Sequence, residues 1–135
     1  MFVEFTVEAP PQGKDRPRAV NHNGRVSFYN TGRSGKYEQM VRAIYLAAGG
    51  RYFGDNCKVA VSIEARFAIP KRTTKKQREA MQQKQLSPIK KPDADNIAKI
   101  ILDALSGIAY KDDAQVTQLN VTKEYAPTAS VFVRV

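Results

Sequence analysis

A single cysteine, Cys57, and a single histidine, His22, stand among 135 residues. An intrachain disulfide is excluded, and so is a zinc site of Cys and His, which takes about four such ligands. Any metal must be held by oxygen. Long apolar runs are also missing: nothing approaches the roughly 18 apolar residues of a membrane span, and Glu4 and Glu8 interrupt the apolar N-terminus. A soluble, cytoplasmic chain with neither signal peptide nor anchor is expected. Acids are scarce, 13 against 22 Lys and Arg, giving a net charge of +9 and a pI near 9.8. Such an excess favours a polyanion, because each Lys or Arg placed on a phosphate releases condensed counterions. Nucleic acid leads; a merely basic surface, or one drawn to anionic lipid, is the plainer alternative.

The length fits one domain, residues 1–135, with no repeat or linker. The opening FVEFTVEA alternates with period 2 and predicts a strand ended by Pro10 and Pro11. A loop with Lys14, Arg16 and Arg18 around Pro17 follows, then a polar turn NHNG and a short strand RVSFY. Tyr37, Met40, Val41, Ile44, Tyr45 and Ala48 recur at helical spacing, so a helix is expected over 34–48, stopped by Gly49 and Gly50. Residues 57–69 read as a long strand ended by Pro70. A basic block then holds Lys71, Arg72, Lys75, Lys76, Arg78, Lys84, Lys90 and Lys91 against one acid, Glu79. Thr73 or Thr74 can cap a helix there reaching about residue 85, too poor in apolar residues to be core. Ile97, Ile100, Ile101, Ala104, Leu105 and Ile108 trace the stripe of a helix packed on a sheet. Strands are expected over 115–125 and 130–135. Without a repeated strand–helix–strand rhythm, the fold class is α+β with one mixed sheet.

Five of the seven aspartates, Asp93, Asp95, Asp103, Asp112 and Asp113, fall within 21 residues of this basic chain. Crowded carboxylates repel one another unless a cation relieves them, so the cluster asks for a metal. At about 100° per residue, Asp95, Lys99 and Asp103 fall at roughly 160°, 200° and 240° from Ile97, opposite the apolar stripe. Asp93 and Asp95 lie at or before a helix N-terminus, where free amides and the macrodipole also favour a phosphate. Plainer readings stand beside this one. Asp95 can be an N-cap, Lys99 an i, i+4 partner of Asp95 and Asp103, and Asp112 and Asp113 turn residues entering a final hairpin. His22 reads as a turn residue, and Tyr110 as either a core or a DNA-stacking group.

The string KPDADNIAKIILDALSGIAYKDDAQV, Lys91 to Val116 with one preceding Lys, resembles the RusA family of Holliday junction resolvases, whose motif runs KPDxDNxxKxxxDAL and then DDxQV. The likeness extends to KDRPR, Lys14 to Arg18, and to PKRTTKKQREAM before the motif. It implies a RusA-like fold and a homodimeric, Mg²⁺-dependent endonuclease that resolves four-way DNA junctions by paired nicks with ligatable 5′-phosphate and 3′-hydroxyl ends. By motif position it implies Asp93, Asp95 and Asp113 as catalytic, metal-holding aspartates and Lys99 as the accompanying lysine, with Asp103 and Asp112 in less certain roles. Lys14, Arg16, Arg18, Lys71, Arg72, Lys75, Lys76, Arg78, Lys90 and Lys91 would hold DNA through phosphates. Two rivals remain: a junction-binding protein without catalysis, and a metal-dependent nuclease acting on other nucleic acids.

Overall fold

The structure, a computed structural model, describes residues 1–15, 18–29 and 32–135. In chain order the elements are β1 (Glu4–Val7), β2 (Arg18–His22), β3 (Arg25–Tyr29), α1 (Arg33–Ala47), β4 (Val59–Ala68), α2 (Lys75–Gln82), α3 (Ala94–Leu105), β5 (Val116–Ala126) and β6 (Ser130–Arg134). Four strands form a mixed sheet in the order β1-β6-β4-β5, with β4 and β5 parallel and the other pairs antiparallel. A parallel pair needs a crossover, and α2 with α3 provides it. No helix among the described residues is long and apolar enough to cross a membrane.

One face of the sheet is core. Val61, Ile63 and Ala65 of β4, Val131 and Val133 of β6, and Phe5 and Val7 of β1 are buried there. α3 covers them with Ile97, Ile100, Ile101, Ala104 and Leu105, while Ile108 beyond it is half-buried. α1 adds Tyr37, Val41 and Tyr45, and the Tyr45 ring meets Phe5 edge-on at 5.7 Å. A Cβ at Gly50 would lie 2.4 Å from the Tyr45 ring, so the chain can pass there only as glycine. Arg42 of α1 donates to the carbonyls of Ala104 and Ser106 at 2.8 and 3.1 Å, placing a cation on the C-terminal end of α3. The opposite face is polar: Arg66 pairs with Glu64 and Glu124 at 2.8 and 3.5 Å, and Lys84 with Glu124 at 2.9 Å.

Three expectations change. The loop over 14–24 contains β2, which pairs with β3 through His22↔Arg25 and makes a second, separate two-stranded sheet. Asn23 and Gly24 at its turn have φ 52° and 81°, the two positive values that a two-residue I′ turn requires. The last two strands make no hairpin, because β4 lies between them. Finally, α2 stops at Gln82 rather than near 85, the chain turning out at Lys84 with φ 62°. Its start is as read, with Thr74 and Gln77 forming a reciprocal capping box and no residue of α2 buried.

Candidate active site

The Lys91–Pro92 bond is cis, and Asp93 follows as the N-cap of α3. An aspartate at this position ordinarily accepts a bond from the first turn. Asp93 does not: its carboxylate makes no capping bond and is exposed. Asp95, in the first turn and also exposed, accepts among the described residues only from the amide of Asn96, at 3.0 Å. Beside them runs the segment 11–15. The Lys14 amide donates to the Asn96 carbonyl at 3.3 Å, and a Cβ on Gly13 would come within 2.4 Å of the Asn96 side chain and 3.2 Å of Pro92. Glycine is what lets the segment lie against the start of α3. The resulting cleft, about 400 Å³, brings Asp93 and Asn96 together with Lys14, Asp15, Arg33 and Lys91.

Further along α3 the aspartates are already engaged. Asp103 receives Lys14 at 3.3 Å and Lys99 at 3.6 Å, and Lys14 also bonds to Glu38 of α1. Burial pulls the Lys14 ammonium down, but the hydrogen bonds and charges of Glu38 and Asp103 outweigh it, and its pKa ends above the ordinary value. Lys99 is exposed and pairs one turn along its helix, an interaction worth only about 0.3 to 0.5 kcal/mol in general.

After α3 the KDD segment is clasped by Gln115. Its amide oxygen accepts from the Lys111 and Asp112 amides at 2.8 and 3.2 Å, and its amide nitrogen donates to the Gly54 and Cys57 carbonyls, both at 2.8 Å. Asp112 caps the short 3-10 turn Asp113–Gln115, accepting from the Ala114 amide at 3.4 Å. Asp113, one residue on, is exposed, and its carboxylate makes no hydrogen bond or ion pair among the described residues. Tyr110 is core: fully buried, it donates to the Leu102 carbonyl at 2.7 Å. Burial, then the charges of Asp113, Asp103 and Asp112, push its hydroxyl pKa far up. Asp95 is eight residues before Asp103, about 12 Å along the helix axis.

No three carboxylate, imidazole or thiolate groups among the described residues converge as a metal site. The basic residues divide as well. Lys71, Arg72, Lys75 and Lys76 are exposed and unpaired among the described residues, and Lys91 lines the cleft. Arg78 leans on the Pro70 carbonyl at 3.4 Å, and Lys90 lies over the Phe67 and Tyr125 rings, 5.9 Å from each. Lys14 is taken up by two carboxylates. Arg16 and the side chain of Arg18 lie outside the described residues. Sequence reading missed Glu38, Arg33 and Asn96. Asn96 stood inside the DxDN string, whereas only the tertiary fold brings Glu38 and Arg33 to this rim.

Comparison with known proteins agrees with this arrangement of motifs. The family described as "Endodeoxyribonuclease RusA" matches residues 8–135. A Bacillus subtilis (strain 168) protein bearing the name "Uncharacterized protein YqaN" is 32% identical over 136 residues, covering 98% of this chain and 95% of that protein.

Proposed function

Because the chain belongs to the RusA family of endodeoxyribonucleases, we propose that it is a Mg²⁺-dependent, homodimeric nuclease that resolves four-way DNA junctions by paired nicks. The observation that carries this reading is the division among the aspartates: among the described residues, Asp93 and Asp113 are spent on no cap or ion pair, and Asp95 on one neighbouring amide. Exposed, uncommitted carboxylates in a chain of net charge +9 are free to meet a cation brought in with DNA.

The donors fit magnesium in kind. They are hard oxygens, and Mg²⁺ commonly takes only one or two carboxylates, leaving its other positions to water and substrate phosphate. No three-carboxylate cage is needed, and one chain does not form one among its described residues. Asp93 and Asp95, with Asp113 as a third donor, are the residues proposed to hold the ion. Bound there, Mg²⁺ would supply Lewis-acid polarisation of the scissile phosphate and a more acidic water. Lys99, on the face of α3 that carries Asp95, would place positive charge where phosphoryl oxygens gain negative charge. Arg33 and Lys91 at the cleft, and Lys71, Arg72, Lys75 and Lys76 ahead of it, would hold DNA through its phosphates. A four-way junction presents two strands related by a two-fold axis, and this chain carries one copy of the aspartate motif, so two copies in a C2 pair are proposed to act.

The experiment is a nicking assay with and without Mg²⁺ on a synthetic four-way junction, a linear duplex, a single strand and an RNA. Metal-dependent cuts confined to the junction are expected. Junction binding without cuts would leave a binding protein, and equal cutting of linear duplex would make the chain a general nuclease.

A further inference from the structure

The β2–β3 hairpin plays no part in the site built above. Its two strands pack extensively on each other and broadly on no other described element. From Ala19 to Ser27 every side chain except the half-buried Val20 is exposed, so neither face of this stretch of the ribbon covers a core. An isolated two-stranded hairpin is marginal in water, and one that projects from a domain without a core to cover needs another reason to be there.

Charge supplies that reason. Residues 16–37 contain no Asp or Glu, yet hold Arg16, Arg18, Arg25, Arg33 and Lys36. The turn is flanked by His22 and Arg25, and Val26 beside it is 60% exposed. Both feet of the hairpin are fastened to the rim of the cleft. The Asp15 amide bonds to the Ser34 hydroxyl, the Ser34 amide donates to the Asp15 carboxylate at 3.1 Å, and Gln12 donates to the Arg33 carbonyl at 3.2 Å. Lys14 ties the first foot to α1 and α3 through Glu38 and Asp103. Arg18 is three Cα steps from Asp15, and Tyr29 three from Gly32, so each end of the ribbon stays within about 11 Å of its foot. A strand of five residues extends it by about 17 Å. A two-stranded ribbon is also a shape that the major groove of duplex DNA admits.

We infer that the β2–β3 hairpin is a DNA-gripping arm that engages the duplex beside the branch point, with Arg25 bound to a phosphate near its tip. The inference rests on the nuclease reading for its choice of DNA, but its test does not depend on cleavage. Affinity for a four-way junction is measured in EDTA across a salt series for the wild type, for Arg25→Glu, and for a shortened arm in which residues 20–27 are replaced by Asn-Gly. Arg25→Glu should weaken junction binding about tenfold and reduce the salt slope by about one, and the shortened arm should lose more. Because the Arg25 side chain is exposed, the thermal midpoint of Arg25→Glu should match the wild type. Unchanged affinity and slope in both variants would overturn the inference, as would an equal loss of affinity for heparin, which has charge but no groove. Nicking by the wild type, measured separately, tests the nuclease reading itself.

Discussion

Asp103 and Asp112 differ from Asp93, Asp95 and Asp113 in what their carboxylates already do. Asp103 neutralises two lysines and Asp112 caps a turn, whereas Asp93 leaves its own helix uncapped and the Asp113 carboxylate bonds to nothing described. All five sit within one short acidic run, so sequence density alone could not separate them. Asp103 draws one partner from a distant part of the chain, Lys14 before the hairpin, itself held by Glu38 of α1, whereas Asp112 caps the Ala114 amide two residues on. The difference teaches that an acidic cluster in a basic protein can hold two kinds of residue, those that build the site and those left for a ligand.

The contrast is broken most forcefully by amide substitutions. Asp95→Asn or Asp113→Asn should cut junction cleavage by about a hundredfold or more, with the melting temperature unchanged, because each removes transition-state stabilisation and no structural bond of consequence. Single-turnover nicking beside a thermal melt checks this; full activity in both variants would sink the assignment. Gln115→Ala comes next. It strips partners from two amides and two carbonyls and should cost about 2 kcal/mol of stability by denaturant unfolding. A neutral result would mean that water replaces the clasp.

Alkaline titration tests the core beneath the acids. Burial pushes the Tyr37 hydroxyl up to about 12 from an ordinary 10.0. The unfolded chain therefore ionises first, so this contribution is complete below pH 10 and is lost between about pH 10 and 12, in all on the order of 2 to 3 kcal/mol. Tyr37→Phe should flatten that part of the stability profile, and an identical profile would contradict the burial argument. Asp112→Ala should cost about 1 kcal/mol through removal of the cap, with cleavage far less affected than in Asp113→Asn. The smallest effect concerns the basic block. Reversing Lys71 or Lys75 should lower the salt slope of junction binding by about 0.9 for each phosphate no longer neutralised, while reversing Lys84, held by Glu124, should change it less. Equal slopes for all three would erase the distinction between free and committed cations.

Most elements were legible because their signals are local. The apolar stripe 97–105 is buried almost residue for residue, β4 alternates as its β-branched run implies, and Thr74 caps α2 through bonds to a residue three positions away. β2 was missed although Asn23-Gly24 advertises a hairpin, because its strand has little apolar alternation. Pairing was not legible either: β5 and β6 are consecutive, yet they take opposite sides of β4.

For the candidate site, the sequence alone determined which groups are available: an acidic run beside a basic block, and a motif whose spacing places Asp95, Lys99 and Asp103 on the solvent side of one helix. These follow from composition and from the fixed rise and turn of an α-helix. Only the tertiary structure decided that Asp103 is held by Lys14 and that Gln115 clasps the segment before Asp113. Lys14 reaches Glu38 across 24 residues of chain and Asp103 across 89, and Gln115 bridges back across 61 to Gly54. Hydrogen bonds and ion pairs act over a few ångströms, so which charges neutralise one another depends on packing that brings distant segments together, and no local pattern records it.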